Sequence, residues 1–211
     1  MSKNVTVFLV DDHAVVREGY KHLLQKTNID VIAEASSGEE AYHQFETLNP
    51  DVIVMDLSMP GIGGIETIAK IIGKNKHAKI LAFSMHDDIV FCKRALQAGA
   101  CGYVTKSSAP DELIEAVFTV AANKKFISQE IANRVSLKQV KSDDVLSTLT
   151  PREFEIFQML AKGMSLDEIA TTLHLDYKTI ANAQTRLRQK LNVENTSQLI
   201  LAAVKLKILP V

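Results

Sequence analysis

The sequence predicts an α/β unit over residues 1–124, a doubly wound (βα)5 parallel sheet, joined through residues 125–148 to a small all-α unit of four helices over residues 149–211. Three observations predict this division. Over the first 124 residues, short and almost continuously apolar runs alternate with longer amphipathic stretches, the pattern of strands covered on both faces by helices. After Phe126 the strand-like runs stop and the periodicity becomes helical throughout. A length of 211 residues leaves room for two small cores, at about 150 residues per domain.

Five strands are expected: Val5–Val10, Val31–Ala33, Val52–Met55, Ile80–Phe83 and Tyr103–Val104. Between the first two, Val16, Tyr20, Leu23 and Leu24 recur at helical spacing. Ala41, Phe45 and Leu48 form the next apolar stripe, which Pro50 stops and which Ser37 with Glu40 opens as a capping box. Three further helices fit Gly64–Ile72, Ile89–Ala98 and Pro110–Ala122, with Asp87 and Asp88 as caps. Residues Ser128–Val140 predict a connecting helix, and Lys141–Ser147 (KSDDVLS) a polar linker. Thr150 with Glu153 and Ser165 with Glu168 repeat the S/T-x-x-E capping box, the first with Pro151 just inside the helix. Asp176 is expected to cap a third helix. A fourth spans Thr196–Lys207, with Leu199, Ile200, Ala203 and Val204 on one face.

Hydrophobic residues at 46% and charged residues at 23% exclude a disordered tail, a collagen-like fibre and a coiled-coil rod. Two cysteines are too few for a disulfide framework, which makes a reducing, cytoplasmic setting the default. No apolar run reaches the ~18 residues of a membrane span, so no membrane is expected as a partner. The first apolar stretch ends at Asp11 and Asp12, unlike a signal peptide. Divided, the net charge of −1 is informative: residues 1–124 hold 16 Asp/Glu against 12 Lys/Arg, and residues 149–211 hold 8 Lys/Arg against 6 Asp/Glu. That asymmetry suits a metal or phosphate site in front and a polyanion partner behind.

Asp11 and Asp12 directly follow the first predicted strand and Asp56 the third, so all three belong at the carboxyl edge of the sheet, where ligands bind. Converging carboxylates repel one another unless a hard divalent cation neutralises them, and Mg²⁺ suits oxygen ligands. Ser84 ends the fourth strand and Lys106 follows the fifth, bringing a hydroxyl and a cation suited to a phosphoryl group. Each acid taken alone could equally be a turn or cap residue. Gly61, Gly63 and Gly64 lack the Lys-Ser/Thr ending of a P-loop and read as a flexible turn. His13, His22, His43, His77 and His174 show no metal-ligand spacing and read as surface or packing residues.

Val10–His13 (VDDH), Met55–Gly61 (MDLSMPG), Ser84 and Gly102–Lys106 (GYVTK) together resemble the receiver domain of two-component response regulators, a flavodoxin-like fold. The resemblance implies that Asp56 accepts a phosphoryl group from the phosphohistidine of a sensor histidine kinase. It implies Mg²⁺ held by Asp12, Asp56 and the main-chain carbonyl of Ser58, with Asp11 acting through water. It further implies a switch in which Ser84 approaches the phosphate and Tyr103 turns inward, with Ser58 and His86 influencing how long the phosphate lasts.

In the all-α unit the second and third helices have helix-turn-helix spacing. On the third, Ile180, Ala183, Leu187 and Leu191 are expected in the core. Lys178, Asn182, Thr185 and Gln189 fall on the opposite stripe with Arg186 beside it, suited to the major groove. Leu149–Glu153 (LTPRE), Ser165–Ala170 (SLDEIA), Lys178–Ile180 (KTI) and Lys190–Leu191 resemble the LuxR-type DNA-binding module, which with the receiver makes the NarL/FixJ architecture. It implies DNA contacts from Lys178, Thr179, Asn182, Thr185, Arg186, Gln189 and Lys190. Ala181 and Ala183 depart from the module's usual residues. Met59–Gly64 and Lys106–Glu112 resemble the GacA/UvrY branch.

The expectation is a phosphorylation-controlled transcription regulator, not an enzyme. Its unphosphorylated receiver restrains the DNA-binding unit, which after phosphorylation of Asp56 pairs as a homodimer on promoter half-sites, with RNA polymerase a further partner. Two rivals stand beside it. One is a DNA-binding regulator that ignores phosphate. The other is an aspartate-dependent Mg²⁺ phosphatase, disfavoured because no second acid lies two residues after Asp56.

Overall fold

A computed structural model describes residues 4–85, 89–137, 146, 148–206 and 208, and the chain divides into two units, Met1–Gln139 and Val140–Val211. His86, Asp87, Asp88 and most of the 141–147 linker lie outside the described residues.

The first unit alternates β1 (Val5–Val10), α1 (Ala14–Leu24), β2 (Ile29–Ala35), α2 (Gly38–Leu48), β3 (Val52–Asp56), α3 (Gly63–Lys74), β4 (Ile80–Ser84), α4 (Ile89–Ala98), β5 (Gly102–Thr105) and α5 (Pro110–Ala121), then β6 (Phe126–Ile127) and α6 (Gln129–Leu137). The sheet is parallel with strand order β2-β1-β3-β4-β5-β6. The chain therefore builds outward from β1 first to one side and then to the other, and β1 and β3 flank the switch point. Every residue of β3 and β4 is buried, as expected of strands covered on both faces. Val7, Leu9, Val52, Val54, Leu81, Phe83 and Val104 pack with Leu24 of α1 and with Leu113, Ala116, Val117 and Val120 of α5 in one core cluster.

The doubly wound class is as expected, with one strand more than the five predicted. β6 pairs with β5 through Gly102↔Phe126 and Tyr103↔Ile127, and the Ser128 amide donates to the Tyr103 carbonyl at 2.9 Å. Two residues are too few to display a period. Gly102 makes the pairing close, since a Cβ there would meet the Phe126 carbonyl oxygen at 2.8 Å.

The second unit holds α7 (Pro151–Ala161), α8 (Leu166–Leu173), α9 (Tyr177–Leu191) and α10 (Thr196–Lys205). Two of the three expected capping boxes form, Thr150 with Glu153 and Ser165 with Glu168 exchanging side-chain and main-chain bonds. At α2, Ser37 accepts from the Glu40 amide, but the Glu40 carboxylate accepts from the Ser36 amide instead. Asp176 occupies the N-cap position of α9, but its side chain makes no cap hydrogen bond. A cap not among the sequence expectations is Asn195, whose Oδ1 accepts from the Gln198 amide at 2.9 Å. Ile180, Ala183 and Leu187 are buried as expected, whereas Leu191 at the end of α9 is half-buried.

Candidate functional site: an acidic pocket and an exposed helix

Strand register brings the first site together. Val10 lies opposite Met55, so Asp11, the next residue out of β1, emerges beside Asp56, the last residue of β3. Ser84 lies opposite Thr105, and Lys106 follows, its amide bonded to the Ser84 carbonyl at 2.7 Å.

Asp11, Asp56 and Ser84 are almost wholly buried. Lys106 Nζ donates to Asp11 Oδ2 at 2.6 Å and to Asp56 Oδ2 at 2.8 Å, with its side chain 5% exposed. One buried cation thus bridges two buried carboxylates, which makes their burial tolerable. The ammonium also lies 5.7 Å from the centre of the Phe83 ring, which Tyr20 meets edge-on at 4.6 Å. Burial pushes the Asp56 carboxyl above the usual aspartate range, against the pull of Lys106. At Lys106 burial opposes the charge, but Asp56 and Asp11 together carry its affinity for the proton above the ordinary lysine value.

The other Asp56 oxygen, Oδ1, accepts from the Ser58 amide at 3.1 Å. Asp12 Oδ1 is buried without a hydrogen bond; His13 Nδ1 stands 3.0 Å from it, an ion pair when the imidazole is protonated. Asp11, Asp12, His13 and Asp56 each offer a ligand atom within 4.8 Å of the others. A buried, unbonded carboxylate oxygen beside two more carboxylates fits a hard cation with oxygen ligands. His13 was expected to have a surface or packing role; its side chain is 63% exposed, yet its ring nitrogen turns toward the acids. Gly64 at the start of α3 is part of the frame, because a Cβ there would meet the Asp56 carbonyl oxygen at 2.0 Å. Gly61, with φ +80°, sits on the Glu39 carboxylate, which accepts from the Ile62 amide at 2.9 Å. Tyr103 is fully buried.

The second site is the outer face of α9. Lys178, Thr179, Asn182, Thr185, Arg186, Gln189 and Lys190 are all exposed, opposite the buried Ile180, Ala183 and Leu187. Two of these cations have partners within the unit. Lys190 Nζ donates to Glu153 Oε2 at 2.6 Å and to the Thr148 carbonyl at 3.0 Å, and Arg186 Nε lies 3.5 Å from Glu153 Oε1. Glu153, 5% exposed, therefore caps α7 and ties it to α9. No local pattern in the sequence signals this tie, because the partners are 37 residues apart.

Residues 7–118 match the response regulator receiver domain, and residues 147–203 match the LuxR family of bacterial regulatory proteins. The chain belongs to the response regulators that join a receiver to a LuxR-type DNA-binding domain, a family of transcriptional regulators rather than of enzymes. It is 36% identical to the response regulator UvrY of Escherichia coli (strain K12), over 95% of this chain and 94% of that one. It is 34% identical to the response regulator GacA of Pseudomonas viridiflava, over 95% and 96%. A crystal structure of a LuxR-family two-component response regulator from Aurantimonas sp. SI85-9A1 is 42% identical, with a TM-score of 0.63, covering 65% of this chain and 99% of that one. The RcsB–DNA complex is 27% identical, with a TM-score of 0.61, covering 95% and 98%. Among the described residues no helix is long and apolar enough to cross a membrane.

Proposed function

We propose that Asp56 is the phosphoacceptor of this response regulator, and that its phosphorylation by a sensor histidine kinase controls homodimerisation and DNA binding. The observation that carries this reading is the Lys106 bridge between Asp11 and Asp56 at the carboxyl edge of the sheet. Asp11, Asp12 and Asp56, with the Ser58 carbonyl, would hold Mg²⁺. Bound there, Mg²⁺ supplies positive charge against the oxygens of the transferring phosphoryl group. Asp56 attacks phosphorus through a carboxylate oxygen, the P–N bond to the donor imidazole breaks, and the imidazole nitrogen takes up a proton. Lys106 shares the developing charge. Ser84 then approaches the new phosphoryl oxygens, opening space into which Tyr103 turns inward.

The domain division that goes with this reading is a receiver over 1–124, a connection over 125–148 and a DNA-binding domain over 149–211. β6 and α6, at the start of the connection, belong to the receiver-side unit. Lys178, Thr179, Asn182, Thr185, Arg186, Gln189 and Lys190 would face promoter half-sites in the major groove. Homodimers on DNA are supported by the solved structure of two RcsB dimers bound to two parallel DNAs. RNA polymerase as a partner and the cytoplasm as the location follow from a role in transcription.

The test is the intact mass of the chain after incubation with Mg²⁺ and acetyl phosphate. Wild type gains one phosphate, about 80 Da, and Asp56→Asn gains none. A gain in both assigns the acceptor to another residue, and a gain in neither supports a regulator that ignores phosphate.

A further inference from the structure

We infer that Arg17 on α1 is the positioning residue of the acidic loop, and that it sets the affinity of the pocket for its divalent cation by fixing the peptide between Asp11 and Asp12. The inference rests on the acidic pocket being the cation site proposed above.

Residues 11–13 connect β1 to α1. The Asp11 amide donates to the Ala35 carbonyl at 3.1 Å, and Asp11 Oδ1 accepts from the His13 amide at 2.8 Å. Arg17 supplies two more ties. Its amide donates to the His13 carbonyl at 2.9 Å, and its Nη1 donates to the Asp11 carbonyl at 2.6 Å. The guanidinium is itself oriented, because Nε donates to Glu34 Oε2 on the edge strand at 3.0 Å. Lys21 Nζ holds the other Glu34 oxygen at 2.6 Å. The Arg17 and Glu34 side chains are 19% and 27% exposed, well enough buried for the geometry to persist.

A peptide unit is planar, so fixing the Asp11 carbonyl also fixes the Asp12 nitrogen and Cα, leaving only rotation about the Asp12 N–Cα and side-chain bonds to aim its carboxylate. Asp12 carries the buried oxygen that accepts no hydrogen bond. Repulsion from Asp11 and Asp56 favours moving that carboxylate outward, and an anchored peptide removes the main-chain part of that movement. Arg17 spends its described donors on a main-chain carbonyl and on Glu34, leaving the pocket carboxylates to Lys106 and the cation. Only a planar fork meets both acceptors at once, which a lysine cannot do.

The loss of Arg17 has opposite expected signs under positioning and under simple electrostatics. Removing a positive charge beside an acidic pocket strengthens cation binding, whereas releasing the loop weakens it. The experiment is a MgCl₂ titration of the ¹⁵N-labelled full chain, followed by amide NMR shifts, for wild type, Arg17→Met, Arg17→Lys and Glu34→Gln. The spectra also show whether each variant is folded. Arg17→Met is expected to raise the Kd for Mg²⁺ about tenfold, the usual scale for losing a group that orients a metal ligand. Arg17→Lys recovers only part of that loss, although it keeps the charge. Glu34→Gln, which retains an acceptor for Nε, loses less than Arg17→Met. An unchanged or lower Kd in folded Arg17→Met, or full recovery in Arg17→Lys, overturns the inference while leaving the acidic pocket as the cation site. No saturable response to Mg²⁺ in wild type overturns both.

Discussion

Lys106 carries more of the first site than any other side chain, because it is the cation that makes two buried carboxylates compatible with folding. Without a divalent cation, Lys106→Met leaves Asp11 and Asp56 facing one another and is expected to cost about 3–5 kcal/mol in a urea titration. Adding Mg²⁺ is expected to recover part of that loss, while phosphate uptake from acetyl phosphate falls about 100-fold. Glu153 gives a pH-dependent counterpart in the second unit. It is buried, which alone raises a carboxyl's pKa, but Lys190 and the Thr150 amide outweigh burial and hold it below the usual glutamate range. A lowered folded-state pKa contributes stability that is present above the ordinary value of about 4.3 and is lost as pH falls through the lowered one. Urea midpoints of the second unit are therefore expected to fall with pH in that window, and the fall is expected to be smaller in Glu153→Gln.

Among the elements, α3 and α9 present the tightest constraints on function. The start of α3 lies against the end of β3, with the Gly64 amide bonded to the Leu57 carbonyl at 3.2 Å and no space for a Cβ beside the Asp56 carbonyl. Gly64→Ala is expected to lower stability by about 1–3 kcal/mol, read from the urea midpoint, and to slow phosphorylation by displacing Asp56. On α9 the exposed stripe separates by chemistry. Asn182→Ala is expected to weaken binding to a preferred DNA sequence by about 1–3 kcal/mol with little change in the salt dependence. Lys178→Ala is expected to weaken binding to all sequences and to lower the salt slope by about 0.9. Lys190, occupied by Glu153 and Thr148, is expected to change stability more than the slope.

At the scale of the whole chain, the (βα)5 pattern, the helical second unit and two capping boxes were legible because each repeats a local period or a fixed spacing. The same logic placed Asp11, Asp12, Asp56, Ser84 and Lys106 at one sheet edge, since a parallel sheet aligns the carboxyl ends of its strands. Features made by distant pairs were not legible. β6 is two residues long, the reach of Arg17 to the Asp11 carbonyl depends on how α1 packs, and the bond from Lys190 to Glu153 depends on how α9 meets α7. Asn195 could have been found, since Asn followed three residues later by Gln198 has the outline of a capping box. In the proposed function the two units are coupled through the chemistry of one aspartate. This coupling is read in the affinity of the full chain for a promoter fragment, with and without acetyl phosphate and Mg²⁺ at fixed salt, for wild type beside Asp56→Asn. A gain in affinity on phosphorylation that appears in wild type and is absent from Asp56→Asn is the predicted result. Equal affinity for both proteins under both conditions would contradict it.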